Sequence, residues 1–199
     1  MTKSRSVQTL AFGLAFLVAA AARAEVTDFK ADLTGGSESP STATGKADVL
    51  YDSVAHTLHV DVTFTGLMAP DVASHIHAAT ALPGVGTAGV ATTVPSFSGF
   101  PSGVTSGSYD HILDLTSLTS FNPSYVTAHG GTAASAEAAL VAAMLDGKSY
   151  LNIHTTEFPG GEIEGFLKAV PEDSATGLLV TLGAVAMLGL ARARRRRSS

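Results

Sequence analysis

Cysteine and tryptophan are absent from the 199-residue chain, and no arginine occurs between residues 24 and 191. Without cysteine there is no disulfide, no thiolate metal site and no cysteine nucleophile. A span of roughly 145 residues between the two ends must therefore be stable by burial alone, which its size permits. Without arginine, only Lys30, Lys46, Lys148 and Lys168 face all 17 acidic residues between residues 25 and 173, a formal charge of −13. The overall −5 hides this, because the other basic residues lie in the ends. Such a surface is poorly suited to nucleic acid or anionic membrane and suited to attracting cations. Catalytic signatures are missing too. There is no Gly-x-Ser-x-Gly elbow and no glycine loop ending in Lys-Ser or Lys-Thr, so the reading is non-enzymatic. "NPS" at Asn122 is no glycosylation acceptor, since proline holds its middle position.

Long apolar runs occur only at the ends. Residues 1–24 read as a secretory signal peptide: Lys3 and Arg5, an apolar stretch over 10–22, then the small-x-small site "ARA" at 22–24. At the other end, 170–199, "VPEDSATG" leads into an uncharged run over 175–191 and then Arg192, Arg194, Arg195, Arg196 and Arg197. That run gives about 25 Å of helix, the short limit for a bilayer span. The arginines set the C-terminus in the cytoplasm and the domain outside. This three-part tail resembles the PEP-CTERM class of sorting signals in its VPDSG-like variant, although Glu172 precedes Asp173-Ser174 and Ala175 follows. The resemblance implies an exosortase-type processing protease as partner. It also implies a transient inner-membrane anchor and delivery to the envelope or the extracellular matrix.

Residues 25–169 read as mostly β. In "TLHVDVTFTGL", Leu58, Val60, Val62 and Phe64 share one face, and polar residues the other. "FKADLTG", "KADVLYD", "SHIHAAT", "AGVATTV", "SGSYDHILDL", "SYLNIHT" and "GEIEGFLKA" are further short strands, with "DSVAH" a hairpin loop. Many short strands joined by Gly, Pro and Ser predict a sandwich or barrel. Residues 132–148 differ. Ala136, Leu140, Val141, Met144 and Leu145 make a helical stripe, with Thr132 or Ser135 as its start and Gly147 as its end.

"GKSYLNIHTTEFPGGEIEGFL" resembles the CHRD domain, whose pattern is Tyr-x-Asn-x-His-Thr, a Pro-Gly-Gly turn and Gly-Glu-Ile-x-Gly. Tyr150, Asn152, His154, Thr155, Pro159, Gly160, Gly161, Glu162, Ile163 and Gly165 carry it. The upstream "HIH" falls where the family has a His-x-His strand. Ala78-Ala79 stand where Gly-Pro is common, and Glu164 where Arg is common. The resemblance implies an all-β, immunoglobulin-like or Greek-key sandwich, here with one short helix and the C-terminal hydrophobic helix. It implies no defined activity.

Candidate chemistry rests on histidine. His75 and His77 lie two apart, hence on one face of a regular strand. His154 lies on another strand beside Glu162, and His129 in the glycine loop "TAHGG". Three or four converging imidazoles would hold copper or zinc, and a His-x-His strand in a sandwich is similar to the copper strand of copper/zinc superoxide dismutases. The other reading is a structural hydrogen-bonded cluster. His56, His59 and His111 read as surface or loop residues. Glu162 and Glu164 read as a solvated edge, with Ca²⁺ the alternative. The expectation is thus an exported structural or adhesive protein whose partners include extracellular polysaccharide or envelope components. The alternative is a metal-binding, redox or dismutase-like domain.

Overall fold

The computed structural model describes residues 26–36 and 39–171. The signal peptide and the sorting segment with a hydrophobic helix that the sequence leads one to expect at the two ends lie outside the described residues, apart from residues 170 and 171. No described helix is long and apolar enough to cross a membrane.

The chain folds mostly as β. Its strands are β1 (Val26–Gly35), β2 (Thr44–Asp52), β3 (Thr57–Thr65), β4 (Asp71–His77), β5 (Gly107–Asp114), β6 (Tyr150–Thr155), β7 (Ile163–Phe166) and β8 (Lys168–Ala169). They form one curled antiparallel sheet, a half-barrel, in the order β4-β6-β7-β1-β2-β3-β5. β1 joins the two halves. One edge of it pairs with β2 along most of its length. Its other edge pairs with β8 at Phe29 and Lys30 and with β7 at Thr34 and Gly35. The all-β fold read from the sequence is thus one curled sheet whose two halves meet at this shared strand.

Strict alternation explains the first half. Leu58, Val60 and Val62 on β3 are fully buried, Phe64 nearly so, and Val49 and Ala47 on β2 lie opposite Val60 and Val62. At about 25 cal/mol per Å² of apolar surface, each such side chain contributes roughly 1.5–3 kcal/mol. "DSVAH" is the hairpin loop: Asp52 Oδ1 accepts from the backbone N–H groups of Val54 and Ala55. "AGVATTV" departs from the strand reading and makes only isolated bridges at Val90 and Thr92. It lies along the free edge of β4 as a cover, Ala91 N–H donating to Ile76 O and Phe97 N–H to Ser74 O.

Two helices and a 3-10 turn at Leu118–Ser120 close the remaining side. α1 (Pro123–Ala128) was not legible as periodicity, because six residues are too few to show a 3.6 repeat. Its start signal was visible: Asn122 Oδ1 accepts from Ser124 N–H and Pro123 takes the first helical position. α2 (Ala133–Leu145) is capped by Thr132, which forms a capping box with Ser135. Gly147 ends it at φ +67°. Its buried stripe is Ala136, Leu140, Ala143 and Met144, while Leu145 is 57% exposed, so the helix is rotated from the predicted face. The rotation buries Glu137, whose carboxylate accepts from Tyr51 OH at 2.8 Å and His56 Nδ1 at 2.9 Å. A helix face with a buried carboxylate cannot be recognised from hydrophobicity alone.

Candidate metal centre

β4 and β6 are neighbours in register, with Ala73 opposite His154, His75 opposite Asn152 and His77 opposite Tyr150. Side chains of a strand alternate, so one face of this pair carries His75 and His77 beside Tyr150, Asn152 and His154. The opposite face sends Ser74, Ile76, Leu151 and Ile153 into the interior, all fully buried. The histidine face is covered as well, because residues 88–97 fold across it. His75 is 6% exposed and His77 7%, whereas His154 is half-buried at the rim.

Each imidazole gives one ring nitrogen to a backbone carbonyl. His77 Nδ1 donates to Ala88 O at 2.9 Å, His154 Nδ1 donates to Pro159 O at 2.9 Å, and His75 Nε2 donates to Pro95 O. A carbonyl oxygen only accepts, so the proton of each neutral ring is fixed at that nitrogen. The unprotonated nitrogens are then His75 Nδ1, His77 Nε2 and His154 Nε2. Each of the three rings offers one nitrogen, and these nitrogens lie within 4.8 Å of one another. His75 Nδ1 and His154 Nε2 are 3.3 Å apart, and His77 Nε2 is buried with no hydrogen-bond partner among the described residues.

Electrostatics keep the rings neutral. Burial pushes His75 down to about 4, reinforced by the neighbouring His154 and His77 and opposed by its bond to Pro95 O. Burial likewise lowers His77 and His154, against their carbonyl partners. Neutral imidazoles are what a cation requires of its ligands. Nitrogens at 2.0–2.1 Å from a tetrahedral ion stand about 3.3 Å apart, the separation His75 and His154 already have. Ring protons pinned by carbonyls are the usual outer support of metal-bound histidine. Three imidazoles with no thiolate or carboxylate suit zinc or copper and leave a coordination position beside the half-buried His154.

His129 and Glu162 stand elsewhere. His129 ends α1, its Nδ1 on Tyr125 O at 2.8 Å and its ring 4.0 Å from that of Tyr125. Glu162 is fully buried rather than part of a solvated edge. Its Oε1 accepts from Ser41 Oγ at 2.7 Å and from Met68 N–H at 2.6 Å. β7 begins one residue later, and Glu164 sits half-buried opposite Asn152.

The residues around the histidines explain the "YLNIHT…PGG" pattern. Tyr150 stacks on the His77 ring at 4.8 Å and 8°, and its hydroxyl accepts from Ala88 N–H at 3.2 Å. It therefore holds both the ring and the residue that orients it. Asn152 Nδ2 donates to Gly160 O at 3.1 Å. The Pro-Gly-Gly turn thus folds back over β6, one carbonyl on His154 and the next on Asn152. The i, i+2, i+4 spacing of Tyr150, Asn152 and His154 carried this signal. The carbonyls of Ala88 and Pro95 left no trace in side-chain sequence.

No curated protein matches the chain, and no solved structure does. Among known families, the CHRD domain matches residues 29–167, which contain all three histidines of the cluster and both strands that carry them. The chain belongs to the CHRD domain family.

Proposed function

We propose that this is an exported, non-enzymatic CHRD-domain protein that holds one copper or zinc ion through His75 Nδ1, His77 Nε2 and His154 Nε2. The observation that supports this reading is the convergence of three imidazoles, each offering a ring nitrogen within 4.8 Å of the others while a backbone carbonyl takes the proton of each ring. A structural cluster would use the third nitrogen of the set, and His77 Nε2 has no partner among the described residues. The −13 domain draws cations in and repels anions such as superoxide, which favours metal retention over dismutase chemistry.

Export by the signal peptide and sorting by an exosortase-type protease bring the domain to the envelope or matrix, where it has a structural or adhesive role. Cell fractionation tests this part, and an unprocessed chain accumulating in the cytoplasm refutes it. Metal analysis of the purified full chain after loading and desalting tests the site. Wild type and His129→Ala retain about one equivalent of copper or zinc, and His75→Ala, His77→Ala and His154→Ala lose it. Equal metal content in all five proteins would end the metal reading.

A further inference from the structure

A second feature lies on the same sheet and borders the imidazole face, since Phe166 in its lining packs against Tyr150 at 5.3 Å. A groove of about 860 Å³ runs over β8, β1 and β2 and is lined by Lys30, Lys46 and Lys168 together with Asp32, Asp48 and Glu164. Three of the four lysines in the domain line it, against a domain charge of −13. Lys46 is paired with Asp32 at 2.8 Å, and Lys30 with Asp28 and Asp48. Lys168 has no ion pair among the described residues. It stands directly opposite Lys30 across the β1–β8 ladder.

Like charges directly opposite each other in a sheet are destabilising. With acids so abundant, an acidic residue at 168 would have completed a favourable pair with Lys30. The like-charged pair is instead kept on the wall of the groove, both members exposed. Lys168, with no ion pair among the described residues, gives this wall a positive charge that an anion can meet. The rest of the lining suits hydroxyls: Asp32, Asp48 and Thr34 offer exposed acceptors, and the partly exposed ring of Phe166 offers an apolar face.

We infer that this groove is a binding site for an acidic polysaccharide, with Lys30 and Lys168 receiving its anionic groups and the carboxylates its hydroxyls. The paired charges set donors and acceptors side by side in the groove, which a sugar polymer can use and a bare polyphosphate cannot. The inference is independent of the imidazole site, so its test is run with EDTA present.

The purified full chain is titrated with polygalacturonate, dextran sulfate and neutral dextran. Binding of polygalacturonate identifies carboxylates as the anionic groups, and binding of dextran sulfate identifies sulfate esters. In either case added salt weakens it. Lys168→Gln weakens binding about tenfold, while its melting temperature is equal to or above wild type, because the repulsion from Lys30 is gone. Lys148→Gln, outside the groove and beside Asp146, binds as wild type does. Equal affinity for neutral dextran, no binding of either anionic polymer, or equal loss in Lys148→Gln and Lys168→Gln would overturn the inference.

Discussion

His75 Nδ1 faces His154 Nε2 across 3.3 Å, and the ring protons of both are bound to carbonyls elsewhere, at Pro95 and Pro159. Two lone pairs meeting in a largely buried site repel unless a proton or a cation lies between them. A proton is disfavoured by the burial that lowers both groups. A cation at that point binds only the folded chain, so copper or zinc raises the melting temperature with the logarithm of its free concentration. At a free concentration 100 times the dissociation constant the gain is about 2.7 kcal/mol. Differential scanning calorimetry with and without metal checks this. His154→Ala, whose ring is at the rim, removes the metal-dependent shift. A shift that persists undiminished in His154→Ala would place the ion elsewhere.

The same three rings set a pH dependence. Their folded values lie below the ordinary histidine value of 6.5, His75 reaching about 4. Between those limits the unfolded chain binds protons that the folded chain does not. Their stabilising contribution is therefore complete above 6.5 and is lost as the pH falls toward 4. For His75 the effect is on the order of 3 kcal/mol. Asp71 acts in the opposite sense, since burial raises its carboxyl. Comparison with a variant at His75 cancels that contribution. In EDTA, urea unfolding at about pH 7.5 and about pH 4.5 shows a smaller stability difference in His75→Phe than in wild type. Equal differences in the two proteins would mean that His75 does not titrate with folding.

The Pro-Gly-Gly turn gives a paired test. Gly161 has φ +125°, and a Cβ there would stand 2.2 Å from Asn152 Oδ1. Asn152 is 1% exposed and its amide is tied to Gly160 O, so it has no room to yield. Gly161→Ala therefore costs about 1–3 kcal/mol in backbone strain alone. It also displaces the turn whose Pro159 carbonyl orients His154, and metal affinity falls with stability. Gly160 meets nothing within 4 Å and has no positive φ. Gly160→Ala leaves both stability and metal binding close to wild type. Chemical denaturation and metal titration of the two variants measure the contrast, and equal losses would remove Gly161 from its supporting role.

These results show which parts of the site a sequence can carry. Alternation on β3 and β6 marks strands and faces, because a side chain's direction follows from its position in the chain. That places His75, His77 and His154 on strands, and the His-x-His spacing puts the first two together. It cannot choose His154 over His129 as the third, because that depends on β4 pairing with β6, a contact between residues some eighty positions apart. Nor can it find the Ala88 and Pro95 carbonyls, since any residue type supplies a carbonyl. Glu162 was misread for a related reason: its burial rests on Ser41 and Met68, distant partners that only the folded sheet brings near. On α2 the sequence stripe holds at Ala136, Leu140 and Met144, while Leu145 turns outward and Glu137 inward, where Tyr51 and His56 bind its carboxylate.

The outer face of the sheet bears an electrostatic cost that a single substitution can relieve. Asp61 on β3 lies directly opposite Asp48 on β2 and opposite Asp110 on β5. Asp48 is drawn toward Lys30 and Asp110 toward His59 Nε2 at 2.7 Å, while Asp61 has no ion pair among the described residues. Asp61→Lys exchanges two like-charged cross-strand neighbours for two opposite ones, each pair worth roughly 0.2–1 kcal/mol. The variant is more stable in urea by a total on the order of 1 kcal/mol, and the gain shrinks as salt screens exposed charges. Asp61→Asn removes the repulsion without adding attraction and falls between the two. Because Asp61 is not part of the imidazole cluster, metal content is unchanged. A loss of stability in Asp61→Lys at low salt would show that the row of aspartates is held by something other than the cross-strand geometry.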